Sequence, residues 1–196
     1  VMEYVPGGSL RDVIEASRSG MEFEKVQDWF RGIASGVRHL HNHGIVHRDL
    51  KPGNIFWDDD ERVVKIGDYG LSKLMSAGRL SGQTESVGTF HYMAPEIGRG
   101  IYGKEIDLYA LGIILYEMLT GQVPFDGESS QEIMMKHLTA EPELSCLQGG
   151  VRELIEKSLS KDPDRRYGNI DAMLVDFEKC CEAPNRSLPS ETSPEL

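Results

Sequence analysis

Cysteine is scarce in this chain. The three present, Cys146, Cys180 and Cys181, form no CxxC pair and no even-numbered set. That argues against a disulfide framework and for a reducing, cytoplasmic setting. Long hydrophobic runs are absent as well: no apolar stretch approaches the roughly 20 residues that span a bilayer, and there is no signal-peptide pattern. Positive charge is outweighed, with 21 Lys+Arg against 32 Asp+Glu and a net charge of −11. Such a surface repels phosphate backbones, so nucleic acid is not an expected partner. No internal repeat is visible. What remains is 196 residues, 39% hydrophobic and 27% charged, the profile of one globular domain or most of one.

The chain opens on Val1 inside a β-prone run, Val1 to Val5, closed by the turn Pro6-Gly7-Gly8. A start of that kind is expected of a fragment or a processed piece. Ser9 suits the cap of a short helix from Leu10 to about Arg18. A longer helix is expected over Glu24 to Asn42, where Val26, Trp29, Phe30, Ile33, Val37 and Leu40 keep three-to-four spacing and Gly44 follows. From Ile45 to Ile66 short apolar pieces alternate with polar loops, and the acidic run Asp58 to Glu61 reads as a solvated hairpin tip. Residues 72–91 are rich in Ser, Gly and Thr and read as a long loop, functional or disordered. Glu105 to Thr120 is apolar on every side, which predicts a buried helix. Ser129 and Glu132 are spaced for a capping box. Two more helices are expected, Val151 to Ser160 and Asn169 to Cys181, before a Pro/Ser/Glu tail from Ala183.

The chemistry concentrates in His47-Arg48-Asp49-Leu50-Lys51-Pro52-Gly53-Asn54, followed downstream by Asp68-Tyr69-Gly70. Phosphoryl transfer needs few protein parts: a carboxylate to take or orient the nucleophile's proton, a cation beside the migrating group, and oxygen ligands for Mg²⁺. Asp49 supplies the first and Lys51 the second. Asn54 and Asp68 offer hard oxygens from two segments.

Together these residues resemble the catalytic loop and metal-binding motif of eukaryotic-type protein kinases. Ala94-Pro95-Glu96 resembles a later motif of that family, Asp107 to Gly112 resembles the start of its buried central helix, and Arg166 resembles the late arginine that pairs with Glu96. The resemblance covers roughly residues 1–182 and looks bacterial in kind. It implies an α+β protein-kinase-like fold, of which this chain is the mainly α-helical C-terminal lobe with a small β-hairpin. Residues 1–8 would be the hinge, 9–182 the lobe, and 183–196 a Pro/Ser-rich linker or tail. The small N-terminal lobe, with its glycine-rich loop, lysine and glutamate, is not in the sequence, so the isolated chain is expected to be inactive.

The resemblance also implies ATP and Mg²⁺ as cofactors. It makes Asp49 the base, Lys51 the phosphate cation, and Asn54 and Asp68 the metal ligands. Met2 would guard the back of the adenine pocket, the backbone of Glu3 and Val5 would meet adenine, Ser9 or Asp12 would reach the ribose, and Phe56 would lie beneath the base. Tyr69 stands where the family usually has Phe, packed against His47, and its hydroxyl needs a partner if buried. Lys51-Pro52 and Gly88-Thr89 resemble the serine/threonine branch, with Thr89 on the substrate side of the catalytic loop. Arg48 implies control by a charged loop: Thr84, with Ser81 and Ser86, are candidate phosphosites, while Glu85 offers a fixed charge that could replace phosphorylation.

Implied partners are proteins bearing Ser or Thr, the small lobe of the same polypeptide, and a second copy for autophosphorylation. The tail fits either a linker to a membrane span or a disordered end. Two other readings stay open: a pseudokinase acting as a binding module, and a small-molecule phosphotransferase of the same superfamily. Other patterns are weaker. Gly98 to Gly103 fits GxGxxG but follows Ala94-Pro95-Glu96-Ile97 rather than a strand, of His39, His41, His43 and His47 only His39 and His43 share a helix face, and adjacent Cys180 and Cys181 read as helix-end residues.

Overall fold

The structure, a computed structural model, describes residues 5–68 and 87–182. Helix α1 (Leu10–Ala16) starts at Ser9, whose hydroxyl accepts the Asp12 N–H while the Asp12 carboxylate accepts the Ser9 N–H at 2.8 Å. This reciprocal cap satisfies two orphan amides. The helix stops before the expected Arg18. Gly20, at φ +100°, then lies so close to the Leu119 carbonyl that a Cβ would sit 2.1 Å from its oxygen.

Helix α2 (Phe23–Asn42) buries Val26, Trp29, Phe30, Ile33, Ala34, Val37 and Leu40, the face its apolar spacing predicts. Against it lies an antiparallel hairpin, β1 (Ile55–Asp58) with β2 (Val63–Ile66), in the register Ile55↔Ile66 and Asp58↔Val63. Gly32 and Gly36 make that approach possible, because a Cβ there would meet Val64 at 2.5 Å and Ile66 at 2.7 Å. The chain at Gly8 and Ser9 runs along β1, with the Trp57 N–H donating to the Gly8 carbonyl at 3.2 Å. Asp58 corrects the expected solvated tip. It is buried, accepts the N–H groups of Asp60 and Glu61, and pairs with Lys65 at 2.6 Å. A carboxylate turned inward organises the turn; the rest of the acidic run stays in water.

A short helix α3 (Val87–Phe90) and a 3₁₀ turn (Pro95–Arg99) lead to α4 (Glu105–Thr120), then α5 (Ser130–Thr139), α6 (Gly149–Ser158), a second 3₁₀ turn (Pro163–Arg165) and α7 (Ile170–Glu182). So residues 87–90 of the expected long loop are helical. Helix α4 is buried on all sides and closes on Gly121 at φ +74°. Helix α7 packs on α6 and α2, with Phe30 and Phe177 rings 4.4 Å apart and Arg31 donating twice to Glu178. Among the described residues the lobe is mainly helical with one two-stranded sheet, and no helix there is long and apolar enough to cross a membrane. The expected box at α5 is half formed: Ser129 caps the Glu132 N–H, but the Glu132 carboxylate turns to the Glu128 N–H at 2.9 Å.

Close packing of α4 on α6 depends on Gly112, where a Cβ would stand 2.7 Å from the Ser158 Cβ. Gly112→Val is expected to cost about 1–3 kcal/mol by overpacking, read as a lower urea midpoint. His137 on α5 is buried beside α4 and hydrogen-bonds the Tyr109 hydroxyl at 2.7 Å, while among the described residues its Nε2 makes no hydrogen bond of good geometry. Burial pushes its pKa down to about 3. The folded protein therefore holds it neutral while the unfolded chain protonates near its ordinary value of 6.5. Stability from this group is full above that value and is lost as pH falls from there toward about 3. The expected result is a shallower acid limb for His137→Phe, measured as urea midpoints between those limits.

Candidate active site

Helix α4 supplies the anchor of the site. Asp107, in its first turn, is 1% exposed. A carboxylate so buried needs donors, and it has three: the His47 N–H at 2.8 Å, the Arg48 N–H at 3.0 Å and His41 Nε2 at 2.8 Å. Arg48 is held at φ +71°, a left-handed conformation uncommon for a residue with a side chain. That turn is what lets two successive amides face one carboxylate.

The His47 ring then ties two segments together. The Asp49 N–H donates to its Nδ1 at 3.3 Å, which leaves Nε2 as the protonated nitrogen donating to the Gly67 carbonyl at 2.9 Å. The Gly67 N–H donates in turn to the Asn54 carbonyl at 2.8 Å. Asp68, next along, stands at φ +59°. The segments bearing Asp49, Asn54 and Asp68 are thereby locked to one another through backbone groups.

At the centre is Asp49. Lys51 Nζ donates to both of its carboxylate oxygens, at 2.8 and 3.1 Å, and to Thr89 Oγ1 at 3.1 Å. Asn54 Nδ2 donates to the Asp49 carbonyl at 2.8 Å and to its carboxylate at 3.1 Å. The Asp49 side chain is nonetheless 36% exposed, so it is oriented yet open to an incoming group. The Asn54 side chain is buried with its nitrogen spent on Asp49, and among the described residues no hydrogen bond reaches its Oδ1 or the Asp68 carboxylate.

Behind this centre the segment that carries Thr89 is pinned twice. Arg166 donates to both carboxylate oxygens of Glu96, at 2.6 and 2.8 Å, and to the Ser160 carbonyl at 2.7 Å. Its guanidinium carbon also lies 4.6 Å from the centre of the Tyr109 ring. The second pin is Tyr92, whose hydroxyl donates to Glu117 at 2.6 Å and also meets Arg11, itself 2.7 Å from Glu117. Burial and the Glu117 charge push the Tyr92 hydroxyl far above its ordinary range, so it stays protonated as the donor.

Of the other residues singled out from sequence, Arg48 places its guanidinium 5.3 Å from the centre of the Tyr102 ring. Ser9 and Asp12 are engaged with each other in the α1 cap, which holds the Asp12 carboxyl below its ordinary range. Phe56 is half-buried on β1 and packs against Gly67. Val5 is half-buried. Met2, Glu3, Tyr69, Ser81, Thr84, Glu85 and Ser86 lie outside the described residues. Gly98 to Gly103 begins within a 3₁₀ turn, Pro95–Arg99, rather than directly after a strand. The His39 and His43 rings lie 4.3 Å apart, tilted by 38°, and among the described residues no three His, Cys, Asp or Glu side chains gather to hold a metal.

Sequence reasoning missed His41, Arg11, Tyr92 and Glu117. His41 falls one turn after Val37 on the buried face of α2, a polar residue where burial demands a partner. Arg11, Tyr92 and Glu117 carry no such signal, because their meeting depends on how α1 and α4 pack.

The site is thus a buried α4 aspartate that orders a loop, and on that loop a partly exposed carboxylate flanked by lysine and asparagine. The sequence matches the protein kinase domain over residues 1–181, and the chain belongs to that family. It is 36% identical over 189 residues to the serine/threonine-protein kinase PrkC of Bacillus subtilis, covering 93% of this chain and 29% of that protein. A probable serine/threonine-protein kinase of Clostridium perfringens is 36% identical over 98% of this chain and 29% of its own length. The probable serine/threonine-protein kinase PknB of Lactococcus lactis is 36% identical, over 90% of this chain and 29% of its own. The chain thus spans less than a third of the length of these relatives.

Proposed function

We propose that the intact protein is a serine/threonine protein kinase, transferring the ATP γ-phosphate to hydroxyls of protein substrates. One observation carries the reading: Asp49 is held on two sides by Lys51 and Asn54 yet is 36% exposed, with the Thr89 hydroxyl on the same lysine. A hydroxyl arriving at Asp49 finds a carboxylate to take or orient its proton and an ammonium beside it for the charge on the migrating group.

Protein kinases in general use ATP and Mg²⁺. The residues present fit that pair. The side-chain oxygens of Asn54 and Asp68 are a hard donor set suited to Mg²⁺, and the bound ion would neutralise charge on the phosphates. We assign the nucleotide to the surface formed by Val5 and Ser9 on the chain beside β1, Asp12 in the first turn of α1 and Phe56 on β1; Met2 and Glu3 complete that assignment. We assign Arg48 to a charged activating loop, with Thr84, Ser81 or Ser86 as its phosphosites or Glu85 as a built-in charge.

Radiolabelled ATP supplied to the intact protein with casein or myelin basic protein, followed by phosphoamino-acid analysis, tests the reading. Phosphoserine and phosphothreonine are expected. Label on an aminoglycoside or choline instead would select a small-molecule phosphotransferase, and no transfer to any acceptor would select a pseudokinase.

A further inference from the structure

Outside the catalytic centre, the segment after Thr89 makes one more side-chain connection. His91 Nε2 meets the Asp126 carboxylate at 3.0 Å, and its Nδ1 faces the Gly88 carbonyl at 3.4 Å. Both ring nitrogens therefore face acceptors. Asp126 sits in the loop joining α4 to α5. Its carboxylate also accepts the Gly127 N–H at 2.8 Å, and its carbonyl accepts Lys136 from α5 at 2.6 Å. Lys136 is fixed in turn by Glu132 at 2.8 Å. The hydrogen bond from His91 holds the Asp126 carboxyl below its ordinary range.

The consequence is a continuous connection. Lys51, paired with Asp49, bonds Thr89; Gly88, the neighbour of Thr89, bonds the His91 ring; that ring bonds Asp126, which is tied to α5. We propose that His91 is a positioning residue for the protein substrate, latching the 88–92 segment to Asp126 so that Thr89 stays on Lys51. The inference rests on the kinase reading above. Asp126 is 77% exposed while His91 is 15% exposed, so the pair contributes little to global stability. Its effect falls on where the substrate-facing segment rests. Neither His91 nor Asp126 bonds Asp49, Lys51 or Asn54 directly, and Lys51 keeps both of its bonds to Asp49, so the expected loss falls on peptide binding rather than on the phosphoryl-transfer step.

The test uses the intact protein with His91→Ala, Asp126→Ala and the double variant, each assayed with varied peptide substrate at saturating ATP. Each single change is expected to raise KM for the peptide roughly three- to five-fold, with kcat and KM for ATP within about two-fold. The double variant should be no worse than either single one, because both remove the same link. His91→Gln, which keeps one N–H for Asp126, should recover part of the loss. Multiplying effects in the double variant, a fall in kcat at constant peptide KM, or an unchanged KM would overturn the proposal. Amide hydrogen exchange over residues 88–92 gives a readout independent of turnover. Faster exchange in both single variants is expected, and wild-type exchange in both would refute the latch. If the wild-type protein phosphorylates no peptide or protein, the kinase reading falls, while the exchange experiment still decides the latch.

Discussion

Asp49→Asn in the intact protein is expected to lower phosphoryl transfer to a protein substrate by roughly 10²–10⁴-fold, the usual contribution of a positioned base. KM for ATP should stay within about two-fold. The geometry explains both halves. Asn54 donates to the Asp49 carbonyl as well as to its carboxylate, so the loop keeps its shape when the side chain becomes an amide. Asp49 also takes its N–H to the His47 ring, a backbone contact the substitution leaves alone. What is lost is the anion that accepts a proton and balances Lys51. Quenched-flow transfer of label at near wild-type rate in the variant would remove Asp49 from the role of base.

Arg166→Ala is expected to be the most destabilising of the single changes considered. The guanidinium is fully buried and Glu96 is 4% exposed, so removing one partner leaves a carboxylate without its counter-ion in the interior. Breaking a buried pair in this way costs about 3–5 kcal/mol, which for a domain of this size lowers Tm by roughly 10 °C. The Ser160 and Glu105 carbonyls lose a donor at the same time. Glu96→Ala should cost about as much. The double variant Glu96→Leu/Arg166→Met should cost clearly less than the sum, because no unpaired charge remains. Thermal melts of the four proteins check this; additive losses would mean that the two residues act separately.

Much of the lobe was legible in the sequence because local rules act on neighbours in the chain. The three-to-four spacing of Val26, Trp29, Phe30, Ile33 and Val37 marks one face of α2, and that face is buried. The all-round apolar run Glu105 to Thr120 could only be an interior helix, and Gly121 at φ +74° ends it. The cluster from His47 to Asn54 was recognisable because the residues are close in sequence and their chemistry is specialised. Where the sequence went astray, charge was the reason. Asp58 reads like its acidic neighbours, yet it alone is turned inward by two turn amides and Lys65. Glu132 has the spacing of a reciprocal cap, but the Glu128 N–H competes for its carboxylate.

Tertiary packing alone decided the rest. Asp107 meets the backbone of His47 across 60 positions and the ring of His41 across 66. Tyr92 and Arg11 reach Glu117 across 25 and 106 positions. Nothing local distinguishes these donors from others that lie on the surface. Only once α4 is buried does its carboxylate require them, since an ion removed from water must be repaid in hydrogen bonds by whatever the packing brings beside it. The sequence therefore determined which side chains could do the chemistry. The three-dimensional fold determined how they are held: which histidine nitrogen carries the proton, which amides grip Asp107, and which face of Asp49 stays open.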